Sequence, residues 1–259
     1  MLVISTVGVL TALVVPAFTS LREANDFTKA ADAIMTILEQ ARTCARIGNT
    51  YAWVGFYEEN GSTSSTNPPT PGNGRLVISV VASLDGTTIY GSNPGPIDPT
   101  RLVQRGKLLK IENVHLPLLA IGTGSGGAFE SRPSLQLEPT AGYNYSRFGE
   151  LNAQPPHTAP FTNSQYPFQY PVGNPPPPAE YLFLKTLQFS PRGENRINGN
   201  NYDIRRIVEI GLLLTHGSSI PAATSGAGTS TATYSGNVAA IQVSGLGSNI
   251  KLYRRDAPN

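Results

Sequence analysis

The sequence predicts an α+β protein: a long N-terminal α-helix packed on a C-terminal antiparallel β-sheet or β-sandwich head with long loops. Three observations predict it. Residues Met1–Leu21 carry no charged side chain. From Phe27 to Ala45 the apolar positions recur at the three-and-four spacing of one helix face. After Gly48-Asn49 the chain breaks into short β-branched and aromatic runs separated by turn pairs.

The composition of the 259 residues narrows the field. One cysteine excludes a disulfide scaffold and a cysteine-based structural zinc site. Charged residues are 14% of the chain, while Gly supplies 26 residues and Pro 22, which does not suit a coiled coil or a helical bundle. With 19 Lys+Arg against 17 Asp+Glu the net charge is +2, too small and too scattered for a polybasic nucleic-acid binder. The length suits one large domain, or a domain with an appendage.

The first element is residues 1–47. If helical, MLVISTVGVLTALVVPAFTSL spans roughly 31 Å, about the thickness of a bilayer's hydrocarbon core. Its apolar surface is Leu2, Val3, Ile4, Val7, Leu10, Leu13, Val14 and Phe18, with Gly8 and Pro16 as residues that a membrane helix tolerates. A cleaved secretory signal is the rival reading. Met1 leaves no room for a basic n-region, but Val15–Ser20 holds a weak cleavage pattern, so the rival stays open. Arg22, Glu23, Asp26, Lys29 and Asp32 then open a second, amphipathic half over residues 22–47. Its stripe of Phe27, Ala30, Ile34, Ile37, Leu38, Ala41 and Cys44 is predicted to dock on the head, with Cys44 a small buried hydrophobe. Gly48-Asn49 ends the helix, with Arg42 and Arg46 near its negative end.

Residues 48–259 form the predicted head. Strand candidates are Thr50–Glu58, Leu76–Ala82, Lys107–Val114, His115–Ile121, Tyr181–Phe189, Ile204–Thr215, Val238–Val243 and Asn249–Arg254, with Thr87–Tyr90 pairing back on the second. Pro117 pushes its run to an edge or a bulge. Residues 122–178 read as a Gly/Pro/aromatic insertion. Tyr143, Tyr145, Phe148, Phe161, Tyr166, Phe168 and Tyr170 offer a contact surface there, and Pro175–Pro178 an extended, stiff run.

No residue set for catalysis emerges, and the chain is not expected to be an enzyme. Gly122–Gly127 satisfies G-x-G-x-x-G, but AFESRPSLQLEP follows where a dinucleotide site needs a helix. His115, His157 and His216 lie far apart in no metal-ligand spacing. Cys44 has no nearby histidine in sequence. No cofactor, metal, nucleic acid or small-molecule substrate is expected.

MLVISTVGVLTALVVPAF resembles the N-terminal helix of type IV pilins and type II secretion pseudopilins, in its apolar run, Gly8, Pro16 and the passage into an amphipathic helix. LQFSPRGENRI (Leu187–Ile197) and VSGLGSNIKLYR (Val243–Arg254) resemble the ending of the minor pseudopilin H type. With NTYAWVGFYEENG (Asn49–Gly61), the nearest resemblance is to the protein D family of the Verru_Chthon cassette of Verrucomicrobia. The resemblance covers Met1 to Ala82 well and Tyr181 to Arg254 loosely. It implies a pilin-like fold and a minor subunit of a pilus or pseudopilus that initiates or decorates a filament. It further implies a single pass through the inner membrane, an extracytoplasmic head, and other pilin or pseudopilin subunits as partners. The family's leader glycine and opening glutamate are not present. Aligning Gly8 and Pro16 puts Met1 several residues inside the mature helix, as a start codon assigned too far downstream (the favoured reading), a trimmed chain or a divergent, unprocessed member would do. The alternative is a membrane-anchored extracytoplasmic binding module that never assembles and uses its long loops.

Overall fold

The computed structural model describes residues 2–87, 96–119, 127–135, 147–148, 167–197, 207–221, 223–225, 232–234, 236–245 and 249–255. For 2–23, 147–148, 223–225 and 232–233 the backbone alone is described.

Helix α1 (Leu2–Ile47) is 46 residues, about 69 Å at the usual rise. Its end is a Schellman motif. The Thr50 amide donates to the Ala45 carbonyl at 3.0 Å and the Asn49 amide to the Arg46 carbonyl at 3.4 Å. Asn49, at φ +45°, takes the left-handed position. Asparagine tolerates that conformation because its short polar side chain can bond locally.

The strands are β1 (Ala52–Asn60), β2 (Gly74–Ser83), β3 (Leu102–Gln104), β4 (Leu109–His115), β5 (Arg147–Phe148), β6 (Phe168–Tyr170) and β7 (Tyr181–Phe183). They continue with β8 (Lys185–Phe189), β9 (Asn195–Arg196), β10 (Ile207–Leu214), β11 (Ala223–Ser225), β12 (Ala232–Tyr234), β13 (Val238–Ser244) and β14 (Ile250–Arg254). Among the described residues one ten-stranded sheet runs β14-β13-β10-β4-β2-β1-β8-β9, with β3 beside β2 and β5 beside β10. Every pairing in it is antiparallel except β5 with β10. Two small ribbons, β6–β7 and β11–β12, complete the described strands.

Strand β1 is buried on both sides, which explains its unbroken apolar run. Ala52, Val54 and Phe56 enter the core shared with α1. Trp53 enters a second core with Phe168, Tyr181 and Phe183 of the β6–β7 ribbon. Gly55 is what lets that ribbon approach: a Cβ there would sit 2.6 Å from Phe168 and Phe183.

The expected α+β architecture is corrected by this arrangement. The protein is mainly β, organised by one large sheet, and a helix packed along its length on a smaller head is not what it shows: among the described side chains only the Phe27–Ala45 part of α1 meets the sheet. The physical reason is legible in α1 itself. A helix docks on a sheet through an apolar stripe backed by a polar face, and in the sequence that two-faced pattern begins with the charged residues from Arg22 onward. Meanwhile the strand runs from both ends of the chain pair into a single sheet.

Other expectations shift as well. The run predicted over His115–Ile121 stops at His115, where β4 ends before Pro117. The insertion's Tyr143, Tyr145, Phe161 and Tyr166, the GTGSG run and His157 lie outside the described residues, as does most of the Thr87–Tyr90 return. Of the insertion's aromatics, Phe168 is fully buried and serves as core, not as contact surface.

Candidate functional site

Two features of the chain have functional geometry: the docked helix with its open flank, and three polar networks inside the sheet. On the helix, Phe27, Ala30, Ala31, Ile34, Leu38, Ala41 and Ala45 are buried against the sheet, and the four alanines let the backbone lie close. Ile37 and Cys44 are half-buried at the margin of that core. Cys44 is therefore corrected from a buried stripe residue to a flank residue, because Ala41 and Ala45 occupy the centre line. The last strand clips the helix from the other end of the chain. Arg254 Nη1 donates to Thr28 Oγ1 at 3.0 Å, and Arg254 Nη2 lies 3.5 Å from Asp32 Oδ1.

Along the uncovered flank runs an open groove of about 840 Å3, whose walls include Met35, Gln40, Thr43, Cys44, Ile47 and Arg105. Ile47 is 82% exposed. The residues expected to form a membrane helix, Leu2, Val3, Ile4, Val7, Gly8, Leu10, Leu13, Val14, Pro16 and Phe18, lie on the helical backbone of α1, but their side chains fall outside the described residues. Among the described residues no helix is long and apolar enough to cross a membrane.

The first network centres on Glu58, which follows Ala52, Val54 and Phe56 at the two-residue period of β1. Lys185 Nζ donates to Glu58 Oε1 at 3.1 Å, and His115 Nδ1 lies 2.6 Å from Glu58 Oε2. All three side chains are at least 95% buried. Burial pushes the Glu58 carboxyl up, but the Lys185 and His115 charges and hydrogen bonds outweigh it and hold the group below the ordinary carboxylate range. The same carboxylate, after burial itself, helps raise the Tyr234 hydroxyl.

The second network lies around the neighbouring Glu59. Its Oε1 accepts from Tyr181 OH at 2.5 Å, Ser65 Oγ at 3.1 Å and Lys110 Nζ at 3.2 Å, and its Oε2 from Arg75 Nη1 at 3.1 Å. Arg75 also reaches Glu112 through Nε at 2.6 Å and the Thr63 carbonyl through Nη2 at 2.8 Å. Burial raises the Glu59 carboxyl, yet the donors together bring it below its usual value. Tyr57 is pushed up to about 12, first by burial and then by Glu59 and Tyr181. In the third network Arg132 Nε and Gln242 Nε2 both donate to Glu209 Oε2, at 2.9 and 2.8 Å. The Arg132 guanidinium sits 4.2 Å over the Phe129 ring, and Arg255 4.8 Å from the same ring.

Sequence reading did not single out Glu58, Glu59, Arg75 or Lys185, and it weighed His115 only as a metal ligand. A signal was present: a strand apolar at both parities has no solvent face, so an acid or a lysine inside it must find a partner. The chemistry these groups perform in place is charge neutralisation. Among the described residues no group of three or more His, Cys, Asp or Glu is arranged to hold a metal ion. His216 is exposed at the end of β10. No protein-family model matches the chain, and neither a curated protein nor a solved structure is significantly similar to it.

Proposed function

We propose that the chain is a structural subunit of a type IV pilus-like or type II secretion pseudopilus filament, a minor one that initiates or decorates it, assembled through α1. One observation carries the reading: α1 passes unbroken from an uncharged segment into the stripe that docks on the sheet. Such a helix has one half committed to its own protein and one half with no polar face of its own. In lipid the free half rests among acyl chains. Beside neighbouring helices, close packing takes the place of lipid, and Gly8 lets backbones approach. The partners on this reading are other subunits of the filament, with the inner membrane as the station before assembly.

Leu10→Arg tests it. An arginine at the centre of a spanning helix costs about 3 kcal/mol on insertion scales, and it lies far from the docked stripe. Membrane fractionation should show the variant released while its head stays folded by circular dichroism, and purified filaments should lack it. Wild-type retention and incorporation of Leu10→Arg would defeat the proposal.

A further inference from the structure

The Glu58–His115–Lys185 cluster joins chain segments that are neighbours in space and remote in sequence. Glu58 and Lys185 stand 127 positions apart, yet β1 and β8 pair directly, with Phe56 opposite Lys185. The amine bonds one carboxylate oxygen and the imidazole the other, so both oxygens of Glu58 are engaged by groups that carry protons. The side-chain exposures are 0% for Glu58, 2% for Lys185 and 5% for His115, and the groove along α1 is lined by other residues. An ion pair held in that position must offset a desolvation penalty that a neutral link between the same two side chains would not carry.

We propose that Lys185 and Glu58 condense into an amide that ties β8 to β1 covalently, with His115 as the proton carrier. The step begins by proton transfer within the ion pair, from the Lys185 ammonium to the carboxylate. The amine lone pair then attacks Cδ, forming the Nζ–Cδ bond. The Cδ–Oε2 bond breaks, and Oε2 leaves as water with the two protons that came from Nζ. His115, whose Nδ1 lies 2.6 Å from Oε2, gives its proton to the departing oxygen, and the proton that the nitrogen sheds on forming the bond restores the imidazole, so that in net both protons of the water come from Nζ. Ammonium and carboxylate become amide and one water; net charge is unchanged and no oxidant or co-reactant is consumed.

Two physical terms favour the reaction in this place. Holding amine and carboxyl together replaces a bimolecular encounter, an advantage that reaches effective molarities of about 10⁵–10⁸ M. The released water escapes to bulk from a site that excludes it, and two buried charges are exchanged for one neutral amide. The bond also supplies what the composition withholds. A chain with one cysteine cannot staple itself with a disulfide, whereas this cross-link would close the loop containing the whole 122–178 insertion. The inference stands apart from the filament reading, since it depends only on the sheet.

Intact-mass spectrometry of the purified, folded full chain tests it. The expected mass is lower than that of the sequence by one water, and a tryptic digest should yield a branched peptide holding both Glu58 and Lys185. Glu58→Gln should condense with loss of ammonia in place of water, which marks residue 58 as the electrophile. Lys185→Met should show the unmodified mass, and His115→Phe should slow or abolish the loss while the protein stays folded. A wild-type mass equal to the sequence after prolonged incubation, with both linear peptides recovered, overturns the proposal. So does a water loss that maps elsewhere, for instance to a succinimide at Asp85-Gly86. Because the wild-type protein decides, a variant that fails to fold leaves the test intact.

Discussion

Two consecutive glutamates on β1 are buried by opposite faces of one sheet, and the partners that neutralise them differ in kind. Glu59 draws donors from β2, β4, β7 and the loop after β1, so it fastens that loop and the β6–β7 ribbon to the sheet. Removing one side of a buried pair strands the other, at about 3–5 kcal/mol. Glu59→Gln is therefore expected to lower the unfolding free energy read from urea melts by an amount of that order, with Arg75 and Lys110 left facing an amide. The pH dependence has a definite sign. The folded Glu59 carboxyl lies below its unfolded value, so its contribution is complete above about pH 4.3, the ordinary glutamate value, and is lost as pH falls through the lower folded-state value. Urea melts should be flat between neutral and weakly acid pH and then fall, and the fall should be shallower in Glu59→Gln. These residues were visible in the sequence as charges in an apolar run. Their partners were not, because Lys110 and Tyr181 lie 51 and 122 positions from Glu59 and nothing local sets that distance.

At the scale of elements, α1 was the most legible part, since a periodic stripe and a terminal Gly-Asn pair both act locally. What the period did not resolve was the margin of the stripe. Cys44 and Ala45 are adjacent on the helix, and only the sheet's position decides that the alanine faces in and the cysteine out to the groove. Ile34 sits fully buried at the middle of the docked segment. Ile34→Ala is expected to cost about 2–5 kcal/mol by leaving a cavity, read as a lower thermal midpoint, whereas Thr36→Ala on the exposed side should leave it nearly unchanged. On the other side of the sheet, Gly55→Val should displace the β6–β7 ribbon, because its first carbon already collides with Phe168 and Phe183. Tyr57 reports that displacement: its ionisation, pushed up to about 12 in the native protein, should move back toward 10 in an ultraviolet titration. The strand runs were readable as strands, but their order was not. β10 lies between β13 and β4, and such long-range neighbours follow from the global sheet, not from any window of residues.

For the whole molecule, the mainly β architecture comes from strands at both ends of the chain closing into one sheet, which a reading element by element had assigned to a smaller head under a longer helix contact. The sheet has a seam. β4 and β10 share only two residue pairs, Leu213 with His115 and Leu214 with Val114, while β1 and β2 share nine. Across the seam the backbone at Gly74 approaches Gly217 so closely that a Cβ would lie 1.8 Å from its carbonyl oxygen. The Ser218 amide also bonds Ser62 Oγ at 2.9 Å. Native-state hydrogen exchange is expected to show β10, β13 and β14 opening as one unit at lower free energy than β1 and β2, and Gly74→Ala should lower that opening energy further. The clip between Arg254 and the Thr28–Asp32 turn of α1 has a consequence in time. Thr28, beside the docking stripe, leaves the ribosome 226 residues ahead of Arg254 in β14, which completes the stripe's cover. At about 5–20 residues per second, a nascent chain carries that apolar stripe uncovered for many seconds. Whatever shelters it in that interval is as much a requirement for this fold as the sheet that finally receives it.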